Sequence, residues 1–270
     1  MVCFPNCKIN IGLYITSKRA DGYHDISTVF YPVMYRDGLE VMEAVETTLH
    51  LSGNTVNGNP EDNLVMKAFR LLQNNYPSKV KETAIYLHKA IPMGAGLGGG
   101  SADGAFMLAL INDYYQLGID KNTLAAFALD LGSDCPFFIY NTPMVAAGRG
   151  EQMKDIKLSL AAYSLQVVYP EIHVSTKEAF SMLSPRAASF DLNKLAVLPV
   201  TDWKQHVSND FEEPVFSKHS VLASIKEQLY GQGALYASMS GSGSALYGIF
   251  PRGVRAVINI PVLYKEFYQH

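Results

Sequence analysis

Residues 91–111 read IPMGAGLGGGSADGAFMLALI, and six of the chain's 21 glycines fall between Gly94 and Gly104. Glycine has no Cβ, so the backbone N–H groups of such a loop can turn towards one ligand and approach it closely. The apolar run that follows predicts a helix over residues 102–116, with Ser101 as its N-terminal cap. Because a helix N-terminus adds unpaired N–H groups and positive potential, the stretch predicts a phosphate-binding loop rather than a more polar, flexible linker.

Other glycine-rich signatures fit this loop less well. The pattern G-x-G-x-x-G is present from Gly94 to Gly99, but it follows Pro92, and no acidic residue stands where a dinucleotide's ribose would need one. Gly100 occupies the position of the phosphate-binding lysine in a Walker-type loop. The His-Arg-Asp and Asp-Phe-Gly motifs of protein kinases are missing from the sequence. What remains is a loop that binds a triphosphate mainly through backbone amides.

Composition narrows the class of protein. With 270 residues, 48% of them hydrophobic and 17% charged, the chain can bury a sizeable core in one large domain or two joined halves. Twenty-two basic residues against 25 acidic ones give a net charge of -3, which argues against a broad surface for nucleic acid or anionic membrane. No apolar run reaches the ~18 residues of a membrane span. We therefore expect small-molecule partners, no nucleic acid and no membrane, and the oligomeric state stays open.

The cysteines and the N-terminus indicate a compartment. Cys3, Cys7 and Cys135 cannot all pair, and no second Cys/His pair near the first two would complete a zinc site. Pro5 and Lys8 stand where a secretory signal would carry an apolar run. These features predict an enzyme of a reducing compartment, the cytoplasm.

The hydrophobic pattern predicts an α+β protein of two lobes, residues 1–155 and 156–270. Alternating apolar residues from Ile9 to Ile15 predict the first strand. Further predicted strands are Thr28–Met34, Leu39–Met42, Thr83–His88, Leu165–Val168 and Ala245–Phe250. Predicted helices after the loop and elsewhere are Leu64–Leu72, 122–131, Thr176–Met182 and Val215–Tyr230. Loops are predicted at Asn54–Pro60, Pro185–Phe190 and Leu198–Asp202.

Three motifs together resemble the GHMP small-molecule kinases. The stretch from Pro92 to Asp103 resembles the family motif P-x-x-x-G-L-G-S/G-x-S. Lys8-Ile-Asn-Ile-Gly-Leu, followed by Asp21-Gly-Tyr-His, is similar to the branch that acts on a cytidine diphosphate-linked alcohol. Met239-Ser-Gly-Ser-Gly-Ser-Ala is similar to the family's third motif. The resemblance covers roughly residues 8 to 250, with the motifs in the family's order.

This resemblance implies a fold and a phosphoryl donor. The expected fold is the two-lobed GHMP kinase fold, with a ribosomal-protein-S5-like N-terminal lobe and a ferredoxin-like C-terminal lobe. ATP is the implied donor, and Mg²⁺ is expected with it, possible ligands being Ser101 and the phosphates themselves. The implied ATP-binding residues are consecutive: Pro92, Met93, Gly94, Ala95, Gly96, Leu97, Gly98, Gly99, Gly100 and Ser101.

Two charged residues could carry the chemistry. Asp134 precedes the apolar run Cys-Pro-Phe-Phe, and Lys8 stands among strand residues. Read alone, each could be a solvated charge at the end of a strand. Phosphoryl transfer to an alcohol needs a group that accepts the hydroxyl proton, which a positioned Asp can do. The resemblance implies that Asp134 is this catalytic base and that Lys8 is its partner beside the acceptor hydroxyl and the γ-phosphate.

The resemblance also implies how the acceptor is held. Tyr23 is expected to stack on cytosine and His24 to hydrogen-bond to it. Phe180 would cover the other side of the base, although a Phe on a helix face is equally well explained as core. Asn10 is expected near the acceptor diphosphate or the catalytic pair. Gly241 and Ser242 could form a second glycine nest over the phosphates, or simply the turn that enters a strand.

The implied reaction is ATP-dependent phosphorylation of the 2-hydroxyl of 4-diphosphocytidyl-2-C-methyl-D-erythritol, in the non-mevalonate route to isoprenoid precursors. The alternatives are a mevalonate- or homoserine-type kinase of the same family and a non-catalytic nucleotide sensor. Two positions depart from the family pattern: Cys7 stands where Ala is common, and Ala102-Asp103 replaces Ser-Asn. Asp103 would repel a triphosphate unless Mg²⁺ intervenes or the side chain points away.

Overall fold

A computed structural model describes residues 1–56 and 58–270; Asn57, within the predicted loop Asn54–Pro60, lies outside the described residues. The strands are β1 Val2–Cys3, β2 Asn6–Lys18, β3 His24–Arg36, β4 Gly38–Glu43, β5 Thr48–Gly53, β6 Thr83–Lys89, β7 Met144–Gly148, β8 Gln152–Asp155, β9 Tyr163–Tyr169, β10 Tyr236–Met239, β11 Leu246–Pro251 and β12 Lys265–Gln269. The helices are α1 Leu64–Asn75, α2 Gly99–Tyr114, α3 Lys121–Leu131, α4 Cys135–Tyr140, α5 Thr176–Ser181, α6 Trp203–His206, α7 Glu212–Lys218 and α8 Ser220–Gly231.

The first of two compact units comprises Met1–Lys8, Pro32–Met93 and Gly98–Thr142. It contains a four-stranded sheet in the order β1-β4-β6-β5, in which β5 runs parallel to β6 and the other pairs are antiparallel. Alternate residues of β6 are buried, as period two requires. Helices α1 and α2 pack on each other, and α3 and α4 complete the unit.

The second unit comprises Ile9–Tyr31, Gly94–Leu97 and Pro143–His270. Its antiparallel sheet has the order β10-β11-β9-β12. Helix α8 supplies Leu222, Ile225 and Leu229 to a buried core that also contains Met239 and Phe250. Complete burial of an aliphatic or aromatic side chain of this kind contributes about 1.5–3 kcal/mol. This core supports β10, the strand that leads into the glycine-serine motif of residues 239–245.

A third sheet, with the order β2-β3-β7-β8, is built on the two longest strands. Strand β2 is buried at every position from Asn6 to Ile15, so both of its faces are covered and not only the face predicted from the alternation. Strand β3 pairs with β7 from Ile26 opposite Gly148 to Phe30 opposite Met144. Strand β2 carries Lys8 and Asn10, and β3 begins at His24, directly after Tyr23. The two predicted site segments therefore lie on or next to two strands of the same sheet, β2 and β3.

Most predicted elements are present, with three corrections. The predicted helix Val215–Tyr230 is two helices, α7 and α8, because the backbone at His219 is not helical (φ -128°, ψ 74°). Helix α2 begins at Gly99 rather than at residue 102. The predicted loop Leu198–Asp202 contains a short 3-10 turn at Val200–Asp202. The proposed boundary between residues 155 and 156 stays a prediction, since both compact units are discontinuous in sequence.

No helix within residues 1–56 and 58–270 is both long enough and apolar enough to span a bilayer.

Candidate active site

The start of helix α2 is uncapped. Its N-cap residue is Gly98, in the left-handed conformation (φ 70°, ψ 17°), and within residues 1–56 and 58–270 no side-chain hydrogen bond caps this end of the helix. The prediction that Ser101 caps the helix is therefore wrong: Ser101 lies in the first turn, where its hydroxyl interacts with the thiol of Cys135. The N–H groups of this turn are left for another acceptor, and a helix N-terminus favours an anion.

Gly98 lies directly against Lys8. A Cβ at Gly98 would stand 3.1 Å from Lys8 Cε and 3.1 Å from Phe138 Cζ, and the positive φ would strain any other residue. The lysine side chain thus packs beneath the loop where the helix begins. Lys8 is only 4% exposed, so its ammonium is held in place rather than dispersed in solvent.

The Lys8 ammonium meets the Asp134 carboxylate. Nζ of Lys8 lies 3.5 Å from Oδ2 of Asp134, whose side chain is 31% exposed. Lys8 comes from β2, and Asp134 is the residue that immediately precedes α4. The structure therefore brings together the two predicted catalytic residues, which are far apart in sequence. One partner is buried against the glycine loop and the other is open to a ligand.

Behind the loop, Asp37, Lys89 and Asp103 form a buried cluster. Lys89 donates hydrogen bonds to Oδ2 of Asp37 and, at 2.6 Å, to Oδ2 of Asp103, and all three side chains are at most 4% exposed. Asp37 also accepts hydrogen bonds from the backbone N–H groups of Ala90 and Ile91, which lead into the loop. Asp103 therefore engages Lys89 through Oδ2, which resolves the apparent conflict between an acidic residue and a phosphate-binding helix.

The pKa of the Asp103 carboxyl group is raised. Burial raises its pKa from 3.8 to about 8, with the Lys89 ammonium opposing the rise and the Asp37 carboxylate adding to it. At neutral pH, Asp103 is then mostly protonated, and the positive charge of Lys89 is balanced by Asp37. A cluster of two carboxyl groups and one ammonium is thereby close to neutral in the protein interior.

This pKa predicts how stability depends on pH. Between pH 4 and 8 the unfolded chain releases the Asp103 proton while the folded chain keeps it, so this group lowers stability as the pH rises. Asp103→Asn removes this titration. As the pH rises, we expect the free energy of unfolding of the variant to increase relative to that of the wild type, by at most about 1.4 kcal/mol per pH unit. Denaturant unfolding at pH 5, 6, 7 and 8 measures this difference.

The matched control is Asp113→Asn, which changes an exposed carboxylate on the same helix. Its difference from the wild type should not vary with pH over the same range. A difference for Asp103→Asn that is equally flat would contradict a proton held by the buried cluster.

A cavity of about 200 Å³ opens beside the start of α2. Its lining is mainly apolar, with a few polar groups. The apolar residues are Leu51, Val56, Pro60, Leu64, Leu87 and Met93, and the others are Gly58, Asn59, Asp62, Asn63, Lys89, Gly100 and Asp103. The sequence alone does not reveal this cavity, because its walls combine residues between 51 and 64 with residues of β6, the glycine loop and α2. Its size and position suit a planar ring adjacent to a phosphate group.

The first half of the glycine loop packs against the third motif. Ser240 Oγ donates to Gly96 O at 2.8 Å, and Ala245 N donates to Ala95 O at 3.0 Å. At Gly96, which has φ 79°, a Cβ would stand 2.0 Å from Ser240 O, so only glycine fits. A Cβ at Gly241 would stand 3.3 Å from the carbonyl oxygen of Gly96. The structure thus joins two motifs that the sequence could only place in order.

Asn10 belongs to this same network. Its N–H donates to Ser240 Oγ at 3.2 Å, and its side-chain Nδ2 donates to Thr28 Oγ1 at 3.0 Å. The hydroxyl of Tyr247 donates to the Asn10 carbonyl. Ser242 lies at the tip of the motif, where its hydroxyl is 3.1 Å from that of Thr176. Asn10 therefore holds the third motif on β2, two residues from Lys8.

Asn209 positions the third motif. Its Nδ2 donates to the carbonyl groups of Met239 and Gly241 at 2.8 and 2.9 Å, so it fixes the entry of the third motif. Glu212 holds β10, the strand that leads into this motif, because its carboxylate accepts hydrogen bonds from Met239 N and from Ser238 Oγ. Two polar residues just before α7 and at its start thus hold the glycine-serine turn, and only the Asn-Asp-Phe-Glu pattern signals them.

The three predicted cytosine residues lie in the second unit. His24 and Phe180 are stacked, with ring centroids 4.9 Å apart and planes at 21°. Phe180 also meets Phe211 edge to face at 4.9 Å, so it packs on the core while it stacks on His24. Tyr23, which precedes β3, is 58% exposed. An exposed tyrosine beside a histidine and a phenylalanine can stack on and hydrogen-bond to a base.

Two further groups of side chains bear on the chemistry, the metal-ligating types and the cysteine thiols. Within residues 1–56 and 58–270, no group of three or more His, Cys, Asp or Glu side chains is placed to hold a metal ion. Cys3, Cys7 and Cys135 are free thiols. Burial raises the pKa of each to about 12, so these thiols are poor nucleophiles at neutral pH.

Comparison with known families gives two matches. Residues 63–142 match the GHMP kinases N terminal domain, and residues 201–260 match the GHMP kinases C terminal domain. The first range contains the glycine loop and Asp134. The second contains Asn209 and the third motif.

Individual proteins agree with these matches. The 4-diphosphocytidyl-2-C-methyl-D-erythritol kinase of Parabacteroides distasonis is 50% identical over 252 residues, which are 93% of this chain and 92% of that protein. A crystal structure of 4-(cytidine 5'-diphospho)-2C-methyl-D-erythritol kinase has a TM-score of 0.79 at 30% identity and covers 92% of this chain and 90% of that chain. Homoserine kinase from Cytophaga hutchinsonii has a TM-score of 0.67 at 15% identity, covers 98% and 95%, and shares the fold alone. The predicted fold class is confirmed.

Proposed function

The chain belongs to the GHMP kinase family, and from this premise we propose that it transfers the γ-phosphoryl group of ATP to the 2-hydroxyl of 4-diphosphocytidyl-2-C-methyl-D-erythritol. The observation that carries the chemistry is the contact of Lys8 with Asp134 directly beneath the start of helix α2. The named relatives, with which the chain shares up to 50% of its residues, favour this acceptor over mevalonate or homoserine. The reaction would serve the non-mevalonate route to isoprenoid precursors.

ATP is the donor expected of a GHMP kinase. We propose that the N–H groups from Gly98 to Ser101 bind its phosphates, since none of the side chains that the structure describes caps them. The adjacent cavity would take the adenine, whose planar ring suits its mainly apolar walls. Direct contact between backbone and phosphate requires glycine at these positions, as Gly98 and Gly96 illustrate.

Mg²⁺ fits the donor set at the start of α2. The Ser101 hydroxyl and the Asp134 carboxylate are both oxygen donors of the kind that Mg²⁺ prefers alongside nucleotide phosphates. Ser101 contacts Cys135, the residue after Asp134, so the two donors come from adjoining segments. When bound, the ion would offset the negative charge of the phosphates. Asp103 is a poorer candidate ligand than Asp134, because burial raises the pKa of its carboxyl group and its Oδ2 accepts a hydrogen bond from Lys89.

Asp134 is proposed to accept the proton of the attacking hydroxyl. Its carboxylate is partly exposed, so an alcohol can reach it, and Lys8 holds it from the buried side. As the phosphoryl group leaves ATP, negative charge spreads over its oxygens. The Lys8 ammonium, fixed between Asp134 and Gly98, is placed to stabilise that charge without reorganisation.

The acceptor's cytosine is proposed to bind at Tyr23, His24 and Phe180. Tyr23 offers an exposed ring, and His24 offers a ring nitrogen for the polar edge of the base. Phe180 already lies parallel to His24 and would cover the base from the helix side. Asn10 and the third motif, with Gly241 and Ser242, are proposed to hold the acceptor's phosphates. We place the enzyme in the cytoplasm, in keeping with its three free thiols.

Release of ADP tests this function. We expect ADP from ATP when 4-diphosphocytidyl-2-C-methyl-D-erythritol is added, and none above background with mevalonate, homoserine or the cytidine-free methylerythritol phosphate. Turnover of mevalonate or homoserine instead would assign the chain to another branch of the family. ATP binding without ADP release for any alcohol would indicate a nucleotide sensor.

Removing the Tyr23 ring should weaken binding of the acceptor alcohol but not binding of ATP. We expect Tyr23→Ala to raise the KM for the cytidine-containing alcohol about 5- to 150-fold, because base–aromatic stacking contributes about 1–3 kcal/mol. The KM for ATP should stay within twofold of the wild-type value. Steady-state kinetics with each substrate varied in turn measures both. Tyr86→Ala, which removes another exposed tyrosine on β6, is the control. Equal losses for ATP and the acceptor would refute the cytosine assignment.

A further inference from the structure

The turn Gly148-Arg-Gly-Glu151 has no part in the proposed function so far, yet it adjoins the acceptor residues. Strand β7 ends at Gly148, whose Cα partner on β3 is Ile26. Strand β3 begins at His24, so the pairing of the strands puts Arg149 beside the hairpin that carries Tyr23.

Arg149 covers one face of Tyr23. Its Cζ lies 5.1 Å from the centroid of the tyrosine ring, within the range of a cation–π contact. A guanidinium that stacks on a ring uses its planar face, while its five N–H donors lie in the plane and point outward. The contact therefore orients Arg149 without consuming its hydrogen-bond donors.

The carboxylates near Arg149 already accept hydrogen bonds from other groups. The nearby carboxylate of Asp21 accepts hydrogen bonds from Arg19 and from Tyr23 N, and its pKa is lowered mainly by the latter and only slightly by Arg149. The carboxylate of Glu151 accepts the backbone N–H of Arg149 at 2.6 Å. Within residues 1–56 and 58–270, no ion pair forms at the guanidinium. A half-buried guanidinium with no ion pair is suited to an anion.

We infer that Arg149 is a binding residue for the acceptor's diphosphate, which it contacts from the Tyr23 ring. The inference rests on the proposed function in one respect, that the ligand at Tyr23 is a cytidine nucleotide. With the base on the exposed face of Tyr23, the phosphates are the only anionic groups of that ligand, and a planar fork of donors matches two phosphate oxygens. Arg149 would thus select a nucleoside diphosphate over the nucleoside.

Binding of cytidine diphosphate and of cytidine tests the inference. Both ligands are titrated calorimetrically into the full-length protein with the donor site filled by a non-hydrolysable ATP analogue. We expect the wild type to bind the diphosphate more tightly, and Arg149→Gln to weaken it about 10- to 100-fold, the effect of losing charge-assisted hydrogen bonds. Cytidine affinity should change less than about threefold. Arg149→Lys should retain part of the affinity for the diphosphate, since lysine keeps the positive charge but lacks the paired, coplanar N–H donors.

The matched control is Arg255→Gln, which removes another guanidinium placed over a tyrosine, 5.9 Å from the Tyr268 centroid. It should change neither affinity. If Arg149→Gln weakens both ligands equally, Arg149 acts only by packing on Tyr23, and the inference is overturned. The same holds if neither affinity changes, or if the wild type does not prefer the diphosphate. The expected binding pattern in a protein that does not phosphorylate the alcohol would refute the proposed function and leave Arg149 as a diphosphate ligand.

Discussion

Asp134→Asn should lower kcat by about 10²- to 10⁴-fold, the contribution of a positioned general base. Asparagine keeps the shape of the side chain but accepts no proton. Because Asp134 is only partly buried and lies at the end of a short helix, we expect the fold to tolerate the change. The KM values for ATP and for the alcohol should change little, since the interaction lost is one made in the transition state.

Steady-state rates of ADP release, with thermal unfolding to confirm that the variant is folded, measure this effect. The control is Asp130→Asn, which alters an exposed carboxylate on the preceding helix α3 and should leave kcat unchanged. Turnover close to that of the wild type in Asp134→Asn would remove this carboxylate from the proton-transfer step.

Lys8→Met should lower kcat by about 10²- to 10³-fold, as expected for the loss of one preorganised electrostatic group. Methionine approximates the volume of the lysine side chain, so packing against Gly98 and Phe138 is kept while the charge is lost. The same rate assay applies, and Lys79→Met at an exposed site is the control. A folded Lys8→Met variant with wild-type kcat would show that the ammonium plays no part in the transition state.

The sequence predicted the glycine loop and the helix that follows it, because the signal for both is local. Glycine density and a following apolar run within some twenty residues suffice to predict a loop that enters a helix. The start of the helix was misplaced by three residues because Ser101 is a common capping residue, whereas here Gly98 takes that position. The local pattern cannot distinguish a capping serine from one that faces a neighbouring thiol.

Features built from distant segments could not be predicted in this way. Asp37 and Lys89 are 52 positions apart, and no local pattern shows that they pair or that Asp103 joins them. The contact of Lys8 with Asp134 was expected only from the family resemblance. The break at His219 was missed because the apolar periodicity continues through it and the segment 215–230 contains no Gly or Pro. Tertiary packing of α7 and α8 decides that boundary.

The buried cluster also explains a departure from the family pattern. An acidic residue in the first turns of a phosphate-binding helix should repel the ligand, but Asp103 is engaged by Lys89 and keeps its proton at neutral pH. The acid is therefore accommodated by its partner and by burial. The sequence alone leaves open whether Mg²⁺ intervenes or the Asp103 side chain points away from the phosphates.

The most direct test of the central claim, that Lys8 and Asp134 act as one unit beneath the loop, is the double variant Lys8→Met/Asp134→Asn. Its kcat/KM for the cytidine-containing alcohol is compared with those of the two single variants. Residues that work together in one step lose their contribution together, so the double variant should be no more than about threefold worse than the poorer single variant. Losses that multiply would show that the two residues act independently and would contradict the account.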